Sequence, residues 1–264
     1  MGRVSEDKSM KQFKVGRREF LKLLAAGVTA AVGGRLRRSA KASGPEGSSP
    51  HDWVMVIDQA KCTGCGYCTL ACQAHNDAPP QIQWNRVIDA GKFGGKDVYL
   101  ARPCMHCDHA PCITACPVKA TIQRPDGIVM MDYDLCIGCR YCEVACPYGA
   151  RSFNWEKFEG DNPAVPEWGT PEVERRLRGV VEKCTFCFHR IDRGLEVGLK
   201  PGEAAAATPA CVVVCPVNAR VFGDLNDPES EVNYLLTEHV SYRLREDMGT
   251  NPRVYYLPAR KLET

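Results

Sequence analysis

The chain has 264 residues, of which 44% are hydrophobic and 25% are charged, and its 34 Lys and Arg nearly balance its 32 Asp and Glu. This composition excludes an intrinsically disordered chain, because enough apolar residues are present for one large or two small packed domains. Sixteen cysteines need an explanation of their own, and three compete: a secreted disulfide framework, zinc sites or iron–sulfur clusters.

Residues 1–42 have the pattern of a targeting segment. Arg17 and Arg18 lie in "GRREFLK", and an apolar run of twelve residues, "LLAAGVTAAVGG", follows at 23–34. A membrane-spanning helix needs roughly 20 apolar residues, whereas the core of a signal peptide is shorter. With an A-x-A site at 40–42, the segment resembles a twin-arginine signal peptide. The resemblance implies export of the folded protein to the periplasm or the outer face of the cytoplasmic membrane.

The cysteines fall into four groups of four, with none left over. Group one is Cys62, Cys65, Cys68 and Cys72; group two is Cys104, Cys107, Cys112 and Cys116; group three is Cys136, Cys139, Cys142 and Cys146; group four is Cys184, Cys187, Cys211 and Cys215. In every group three residues separate the last two cysteines, and in groups two, three and four a proline follows directly: Pro117, Pro147 or Pro216. This regularity indicates an internal repeat.

Short stretches with the pattern of strands flank each group. They precede the four groups as "WVMVID", "DVYLA", "GIVMMD" and "GVVEK", and they follow groups two to four in "CPVKATIQ", "CPYGARSF" and "CPVNARVF". Between two of them, "RPDGI" at 124–128 predicts a hairpin turn, because Asp-Gly readily takes the positive φ angles of such turns. The repeat unit is therefore a strand, a cysteine loop, one or two helical turns and a second strand.

Iron–sulfur clusters explain this spacing better than the alternatives do. Three thiolates of a C-x2-C-x2-C loop, such as Cys136, Cys139 and Cys142, can surround one 4Fe–4S cube. In the C-x2-C-x2-C-x3-C-P run of two-cluster bacterial ferredoxins the fourth cysteine ligates the other cluster, which predicts the same for Cys146. Disulfides among three cysteines within seven residues would be strained, and four-cysteine zinc sites favour two C-x2-C pairs from separate knuckles.

The motifs around the cysteines resemble those of one family. The stretches "KCTGCGYCTLAC", "PCMHCDHAPCITACPVKA", "GIVMMDYDLCIGCRYCEVACPYGAR" and "TPACVVVCPVNARVFGDLNDPES" are similar to the four-cluster iron–sulfur subunits of membrane-linked molybdopterin oxidoreductases. That family includes the electron-transfer subunits of polysulfide, tetrathionate, dimethyl sulfoxide and arsenate reductases and of formate dehydrogenase. The resemblance covers roughly residues 53–230. It implies an α+β fold of two interleaved bacterial-ferredoxin-like modules, each binding two 4Fe–4S clusters.

The resemblance also implies which cysteines bind each of four 4Fe–4S clusters, and the four ligand sets are named here after their clusters. Set A is Cys62, Cys65, Cys68 and Cys215; set B is Cys184, Cys187, Cys211 and Cys72; set C is Cys104, Cys107, Cys112 and Cys146; set D is Cys136, Cys139, Cys142 and Cys116. Some members of the family hold a three-iron cluster where one cysteine of group three is replaced. Because Cys139 is present here, four cubes are expected, in the order A, B, C, D from the catalytic subunit toward the membrane.

The repeat and the resemblance together predict the domain organisation. The signal peptide at 1–42 precedes module one, whose halves lie at 53–82 and 179–227, and module two lies at 95–155. A connector at 156–178 and a C-terminal tail at 228–264 complete the chain. Two features depart from the family pattern: Gln73 stands where a proline would follow group one, and 23 residues separate Cys187 from Cys211. Within this insertion at 188–210, the stretch "GLEVGLKPGEAAAATPA" at 194–210 is predicted to be a surface excursion.

The resemblance implies an electron-transfer subunit that performs no catalysis itself and has no transmembrane segment. It would relay single electrons between a molybdopterin-type catalytic subunit and a multi-span, quinone-reactive membrane subunit. The chain contains no H-E-x-x-H motif and no glycine-rich phosphate loop. Without residues 1–42, 23 Lys and Arg face 29 Asp and Glu, so nucleic acid is not an expected partner. The alternatives are a self-sufficient iron–sulfur reductase and an exported disulfide scaffold.

Overall fold

The computed structural model describes residues 49–261, so the predicted signal peptide at 1–42 lies outside the described residues. Within this range the chain forms nine strands: β1 (Trp53–Asp58), β2 (Arg86–Phe93), β3 (Lys96–Arg102), β4 (Thr121–Gln123), β5 (Val129–Met131), β6 (Arg151–Phe153), β7 (Val181–Lys183), β8 (Arg220–Asp224) and β9 (Val254–Leu257). The same range contains six α-helices: α1 (Tyr67–His75), α2 (Pro111–Thr114), α3 (Tyr141–Val144), α4 (Phe188–Glu196), α5 (Ala210–Val213) and α6 (Glu231–Glu238). This mixture of helices and strands agrees with the predicted α+β class, while the division into two modules stays a prediction.

The largest sheet is built around β1, in the order β8-β1-β9. Every residue of β1 is buried, and five of the six are apolar, which is typical of a strand covered on both faces. Strand β8 pairs with β1 in antiparallel register, with Trp53 opposite Asp224. Strand β9 pairs with it in parallel, with Met55 opposite Val254. The sheet therefore joins the first described strand to two segments near the end of the chain.

Three two-stranded sheets complete the strand structure of residues 49–261. Strands β4 and β5 form the predicted hairpin, whose turn contains Gly127 at a φ of +87°. Strands β2 and β3 are joined by Gly94 and Gly95, both with positive φ, as a tight hairpin requires. Strands β6 and β7 pair across the predicted connector, with Arg151 opposite Lys183.

The predicted strand pattern is confirmed, since each of the seven stretches contains a strand, in β1 and β3 to β8. The helix that carries the last two cysteines of group one is longer than its equivalents in the other groups. Helix α1 has nine residues, whereas α2, α3 and α5 have four each. A proline follows the last cysteine in groups two to four but not in group one, where Gln73 allows the helix to continue.

Two features of the fold were not predicted. Strand β2 is largely exposed, so its sequence carries little of the apolar alternation by which a strand is recognised. Helix α4 directly follows Cys187, and its Ile191 side chain is fully buried. Only one face of such a short helix needs to be apolar, so its sequence carries a weak helical signal.

Helix contacts bring distant cysteine groups together. Helix α1 packs against α5, which joins group one to group four, and α2 packs against α3, which joins group two to group three. The largest cluster of buried apolar side chains includes cysteines of all four groups, so these side chains lie in the core. No helix within residues 49–261 is long and apolar enough to cross a membrane.

Candidate metal centres

All sixteen cysteines lie within the described residues, and every one is a free thiol. The structure therefore contains no disulfide framework in residues 49–261, although many of these thiols are buried side by side. A high density of unpaired buried cysteines is typical of metal sites, because thiolate is a metal ligand and thiols alone contribute little to packing.

The repeated C-P-x-x-A sequence has a local structural reason. The amide of Ala150 donates a hydrogen bond to Cys146 Sγ at 3.5 Å, and the amide of Ala219 donates one to Cys215 Sγ at 3.3 Å. In group two the amide of Ala120 acts in the same way on the sulfur of the last cysteine. Such N–H groups favour the negatively charged thiolate that a metal requires.

The C-x2-C-x2-C loops need backbone conformations that most residues avoid. Gly64 and the equivalent Gly138 have φ angles of +74° and +67°. The next left-handed position is Gly66 in group one and Arg140 in group three, each directly preceding a helix. These turns curl the loop so that its cysteines can face a common space.

Set A lines a single pocket. Cys62, Cys65, Cys68 and Cys215 border it together with Arg220, and β1, β2 and β3 each contribute one apolar residue to the wall. Burial raises the pKa of the Cys62 thiol, and the neighbouring charges of Cys68 and Cys215 raise it further. Four sulfurs from segments separated by about half of the chain thus surround one water-poor space.

Set B is buried completely. Burial raises the pKa of Cys72 well above its ordinary value, and the charges of Cys187, Cys184 and Cys211 raise it further. The Asn76 side chain spans two of these residues, with Nδ2 at 3.8 Å from Cys72 Sγ and 3.7 Å from Cys187 Sγ. The structure thus places the last cysteine of group one beside three cysteines of group four.

Set C lines a second enclosed pocket, formed by Cys104, Cys107, Cys112 and Cys146. Burial raises the pKa of Cys107 to about 12, and the charges of the other three thiols add to this effect. The last cysteine of group three is therefore in the pocket of group two, as the crossed arrangement of ferredoxins predicts.

Set D is the most exposed of the four. Cys139 is exposed, Cys116 and Cys136 are half-buried, and only Cys142 is buried. Burial raises the pKa of Cys142, and the charge of Cys136 contributes to this shift. Cys116 follows α2, which packs against the α3 helix that carries Cys142. The charge of Cys136 thus acts on Cys142, and the packing of the two helices brings Cys116 to the same region.

The sets neighbour one another in a fixed order. Cys68 of set A raises the pKa of Cys211 of set B, which burial and neighbouring thiols bring to about 12. The charge of Cys104 of set C raises the pKa of the buried Cys184 of set B. Cys112 of set C acts on Cys142 of set D. Single thiols thus link set A with set B, set B with set C and set C with set D, while the assignment of clusters to the sets stays a prediction.

Sequence reasoning missed three buried cations next to these sulfurs: Arg220, Arg151 and Lys183. They are 4%, 3% and 0% exposed, although charged side chains are rarely buried without a partner. Arg220 Nη1 lies 3.3 Å from Cys211 Sγ. A signal was present for the two arginines, because both occupy the same position of the repeat, in "CPYGAR" and "CPVNAR".

The donor set fits an iron–sulfur cluster better than a single zinc ion. Within residues 49–261, no three His, Cys, Asp or Glu side chains converge closely enough to hold one metal ion. A zinc site would need four sulfurs about 2.3 Å from a common centre, whereas a cube of iron and sulfide keeps its cysteine ligands further apart. The pockets of sets A and C each offer four cysteine sulfurs among mostly apolar residues, which suits such a cube.

Comparison with known proteins supports this interpretation. A family model described as a 4Fe-4S dicluster domain matches residues 96–161, and a second model of the same description matches 135–219. A 4Fe-4S binding domain model matches residues 53–74. Together these matches include every cysteine of the four groups.

Several curated proteins are similar over most of their length. The chain is 44% identical over 222 residues to the putative dimethyl sulfoxide reductase iron-sulfur subunit of Halobacterium salinarum, covering 78% of this chain and 79% of that protein. It is 44% identical over 230 residues to the iron-sulfur cluster-binding subunit of the menaquinone reductase of Nitratidesulfovibrio vulgaris, covering 79% and 89%. It is 37% identical over 240 residues to the arsenate respiratory reductase iron-sulfur subunit of a Shewanella species, covering 80% and 97%.

Proposed function

The chain belongs to the family of 4Fe-4S iron–sulfur subunits of respiratory reductases, and we propose that it relays single electrons through four 4Fe–4S clusters held by sets A to D. One observation carries the proposal. Sixteen free cysteines lie in four separate segments, and eight of them, from all four segments, belong to the largest buried cluster. Thiols assigned to successive sets also neighbour each other, as Cys68 does Cys211, Cys104 does Cys184 and Cys112 does Cys142. A row of adjacent sites is what a relay needs, since each electron must pass from one site to the next.

When bound, the clusters supply one-electron oxidation and reduction. The protein's own part is to hold and tune them. Cysteines fix the positions, backbone amides such as that of Ala219 donate hydrogen bonds to sulfur, and buried apolar residues exclude water. Burial and hydrogen bonding to sulfur are the means by which proteins set the potentials of such centres.

The proposal assigns the subunit no catalysis of its own. Each ligand set supplies four cysteines, so no iron is left open for a substrate. We propose a molybdopterin-type catalytic subunit as the partner at one end of the relay. At the other end we propose a multi-span membrane subunit that reacts with quinone. Export by the twin-arginine pathway to the periplasm or the outer face of the cytoplasmic membrane belongs to the same proposal.

The surface around set D supports a partner at that end. Ile137 and Tyr141 flank Cys139, and both are 64% exposed. Leu135 and Val144, in the same loop and helix, are exposed as well. Exposed apolar residues that cluster in this way favour a protein interface.

Metal analysis of the full chain, purified without oxygen, tests the proposal. Four cubes require roughly 16 iron atoms and as many acid-labile sulfides per chain. A Cys146→Ser variant should lower the iron content to roughly 12 by removing one cube. Thr114→Ser, an exposed change two residues before Cys116, is the matched control and should leave the iron content unchanged.

Iron and sulfide near zero in correctly folded protein would contradict the relay. An activity assay then separates the relay from a self-sufficient reductase. With a reduced dye as electron donor, the isolated subunit should not reduce arsenate or tetrathionate, and turnover by the subunit alone would contradict the proposed role.

A further inference from the structure

Three buried cations mark the boundaries between successive cysteine sets. Arg220 lies where sets A and B meet, Lys183 where sets B and C meet, and Arg151 where sets C and D meet. Their hydrogen-bond acceptors are backbone carbonyls, an amide, a hydroxyl and sulfur atoms. Among residues 49–261, no carboxylate forms an ion pair with any of the three.

Arg220 reaches both of the first two sets. It borders the set A pocket, and its Nη1 lies 3.3 Å from Cys211 Sγ of set B. The same nitrogen lies 3.6 Å from Met55 Sδ, and Nη2 donates to Asn85 Oδ1. Burial lowers the pKa of the guanidinium, but the charges of Cys68 and Cys211 outweigh this effect and raise it.

Arg151 repeats this arrangement between sets C and D. It borders the set C pocket, and its Nη1 lies 2.9 Å from Met131 Sδ and 3.2 Å from Thr121 Oγ1. The charges of Cys112 of set C and Cys142 of set D raise the pKa of Arg151 against the effect of burial. The internal repeat has thus placed the same side chain, with a methionine sulfur as neighbour, at two equivalent boundaries.

Lys183 occupies the central boundary, on the last residue of β7. Its Nζ donates to the carbonyl of Cys184, a set B residue, at 2.6 Å and to the carbonyl of Val129, which borders the set C pocket. Strand pairing places Lys183 opposite Arg151 in the β6–β7 sheet. Two of the three cations therefore share one sheet.

We propose that Arg220, Lys183 and Arg151 are the electrostatic elements of the relay, each raising the reduction potentials of the two clusters that it separates. A buried charge without a partner is strongly unfavourable, so each cation needs negative charge nearby. Clusters ligated by four thiolates provide that charge, and they become more negative on reduction. A fixed cation at the boundary therefore stabilises the reduced state of the cluster on either side and raises both reduction potentials.

This inference rests on the proposed four clusters, and a redox titration of the full chain, followed by electron paramagnetic resonance, tests it separately. Glutamine replaces each cation in turn, in Arg220→Gln, Lys183→Gln and Arg151→Gln. Each change should lower the equilibrium constant for one-electron reduction at least tenfold, about 59 mV, for two clusters only. The affected pairs should overlap, so that neighbouring variants share one shifted cluster.

Two sets of controls separate charge from packing. Arg220→Lys, Lys183→Arg and Arg151→Lys keep the positive charge and should keep the potentials close to those of the unmutated protein. Lys119→Gln removes an exposed cation near Cys116, where water and salt screen its charge, and should shift no potential measurably. The shifts caused by the buried positions should persist at high salt, because buried charges are screened much less.

The outcomes distinguish the two proposals. An unchanged protein without iron contradicts the relay itself. The inference for a boundary is contradicted under two conditions taken together. The unmutated protein shows four redox transitions, and the glutamine variant at that boundary retains its iron without a shift in the potential of either flanking cluster. If a glutamine variant loses iron, the charge-conserving variant at the same position decides: retained iron and potentials support a requirement for charge. Loss of iron from the charge-conserving variant as well overturns the proposal for that boundary, because packing is then what the boundary requires.

Discussion

Two glycines of the cysteine loops have different reasons to be glycine. Gly138 has a φ of +67°, and a Cβ atom placed there would lie 2.1 Å from the carbonyl oxygen of Gly179. Gly66 has a φ of +79°, but no atom lies within 4 Å of the place of its Cβ. Arg140 takes the equivalent left-handed position in group three, which shows that the loop accepts a side chain there. At Gly66 only backbone conformation matters, whereas Gly138 also needs the space.

Alanine substitution should therefore affect the two positions unequally. We expect Gly66→Ala to cost about 1 kcal/mol of stability, the usual penalty of a left-handed non-glycine residue. Gly138→Ala should cost about 1–3 kcal/mol more, because the backbone at 179 must move. Thermal unfolding without oxygen measures the order, and equal midpoints for the two variants would contradict the steric explanation.

At the scale of elements, residues 156–178 link two parts of the chain, but they are not a loose connector. This fully described segment contains neither helix nor strand, yet side chains fix it to the rest of the fold. Arg175 forms two hydrogen bonds with Asp77, at 2.8 and 3.1 Å, just beyond the end of α1. Asn162 Nδ2 also donates to Asp77, at 3.1 Å. The segment is therefore held by polar contacts in place of regular hydrogen-bond ladders.

Glu172 is the second attachment point of this segment. Its Oε1 lies 2.6 Å from His75 Nδ1 and also pairs with Arg190, while Oε2 pairs with Arg193 and lies 3.9 Å from His189 Nε2. Burial raises the pKa of the Glu172 carboxyl, but the surrounding cations outweigh this and lower it. The attachment is therefore fully present above the ordinary glutamate pKa of about 4.3 and is lost as the pH falls through the lower folded-state value.

Loss of the Glu172 charge should loosen the connector. At pH 7 we expect Glu172→Gln to increase the rate of proteolytic cleavage within 156–178 at least severalfold, since the buried Arg190 and the exposed Arg193 both lose their partner. Glu167→Gln, an exposed change in the same segment, is the control and should leave the rate unchanged. Equal cleavage of both variants would show that the ion pairs do not hold the segment.

At the scale of the whole molecule, the tail is an integral part of the fold. Strand β9 lies beside β1, and its Tyr256 side chain is fully buried, with the hydroxyl donating to the Ala101 carbonyl at 3.0 Å. Just before β9, the amide of Arg253 donates to the Met105 carbonyl in the group two loop at 2.8 Å. The end of the described chain therefore braces both the central sheet and the loop of set C.

Removal of the Tyr256 ring should destabilise the whole molecule. We expect Tyr256→Ala to cost about 3–5 kcal/mol by leaving a cavity, and Tyr256→Phe to cost about 1–2 kcal/mol by leaving the Ala101 carbonyl without its donor. For a chain of this size each kcal/mol lowers the unfolding temperature by roughly 2–4 °C. Tyr234→Ala, at a position that is 63% exposed, serves as the control and should change the temperature little. Similar unfolding temperatures for Tyr256→Ala and Tyr234→Ala would contradict a bracing role for β9.

The sequence by itself determined the local units of this protein. Cysteine spacing, the prolines at 117, 147 and 216 and the short apolar stretches predicted seven strands and iron–sulfur clusters, because each signal is contained within a few consecutive residues. The resemblance of these motifs to one family implied the α+β class. The tertiary structure decided which of these units lie next to one another. It paired β1 with β8 and β9, buried Arg220, Arg151 and Lys183 beside the sulfurs and attached the connector through Glu172. Such contacts depend on packing between distant segments, for which charged residues and exposed strands carry no periodic signal.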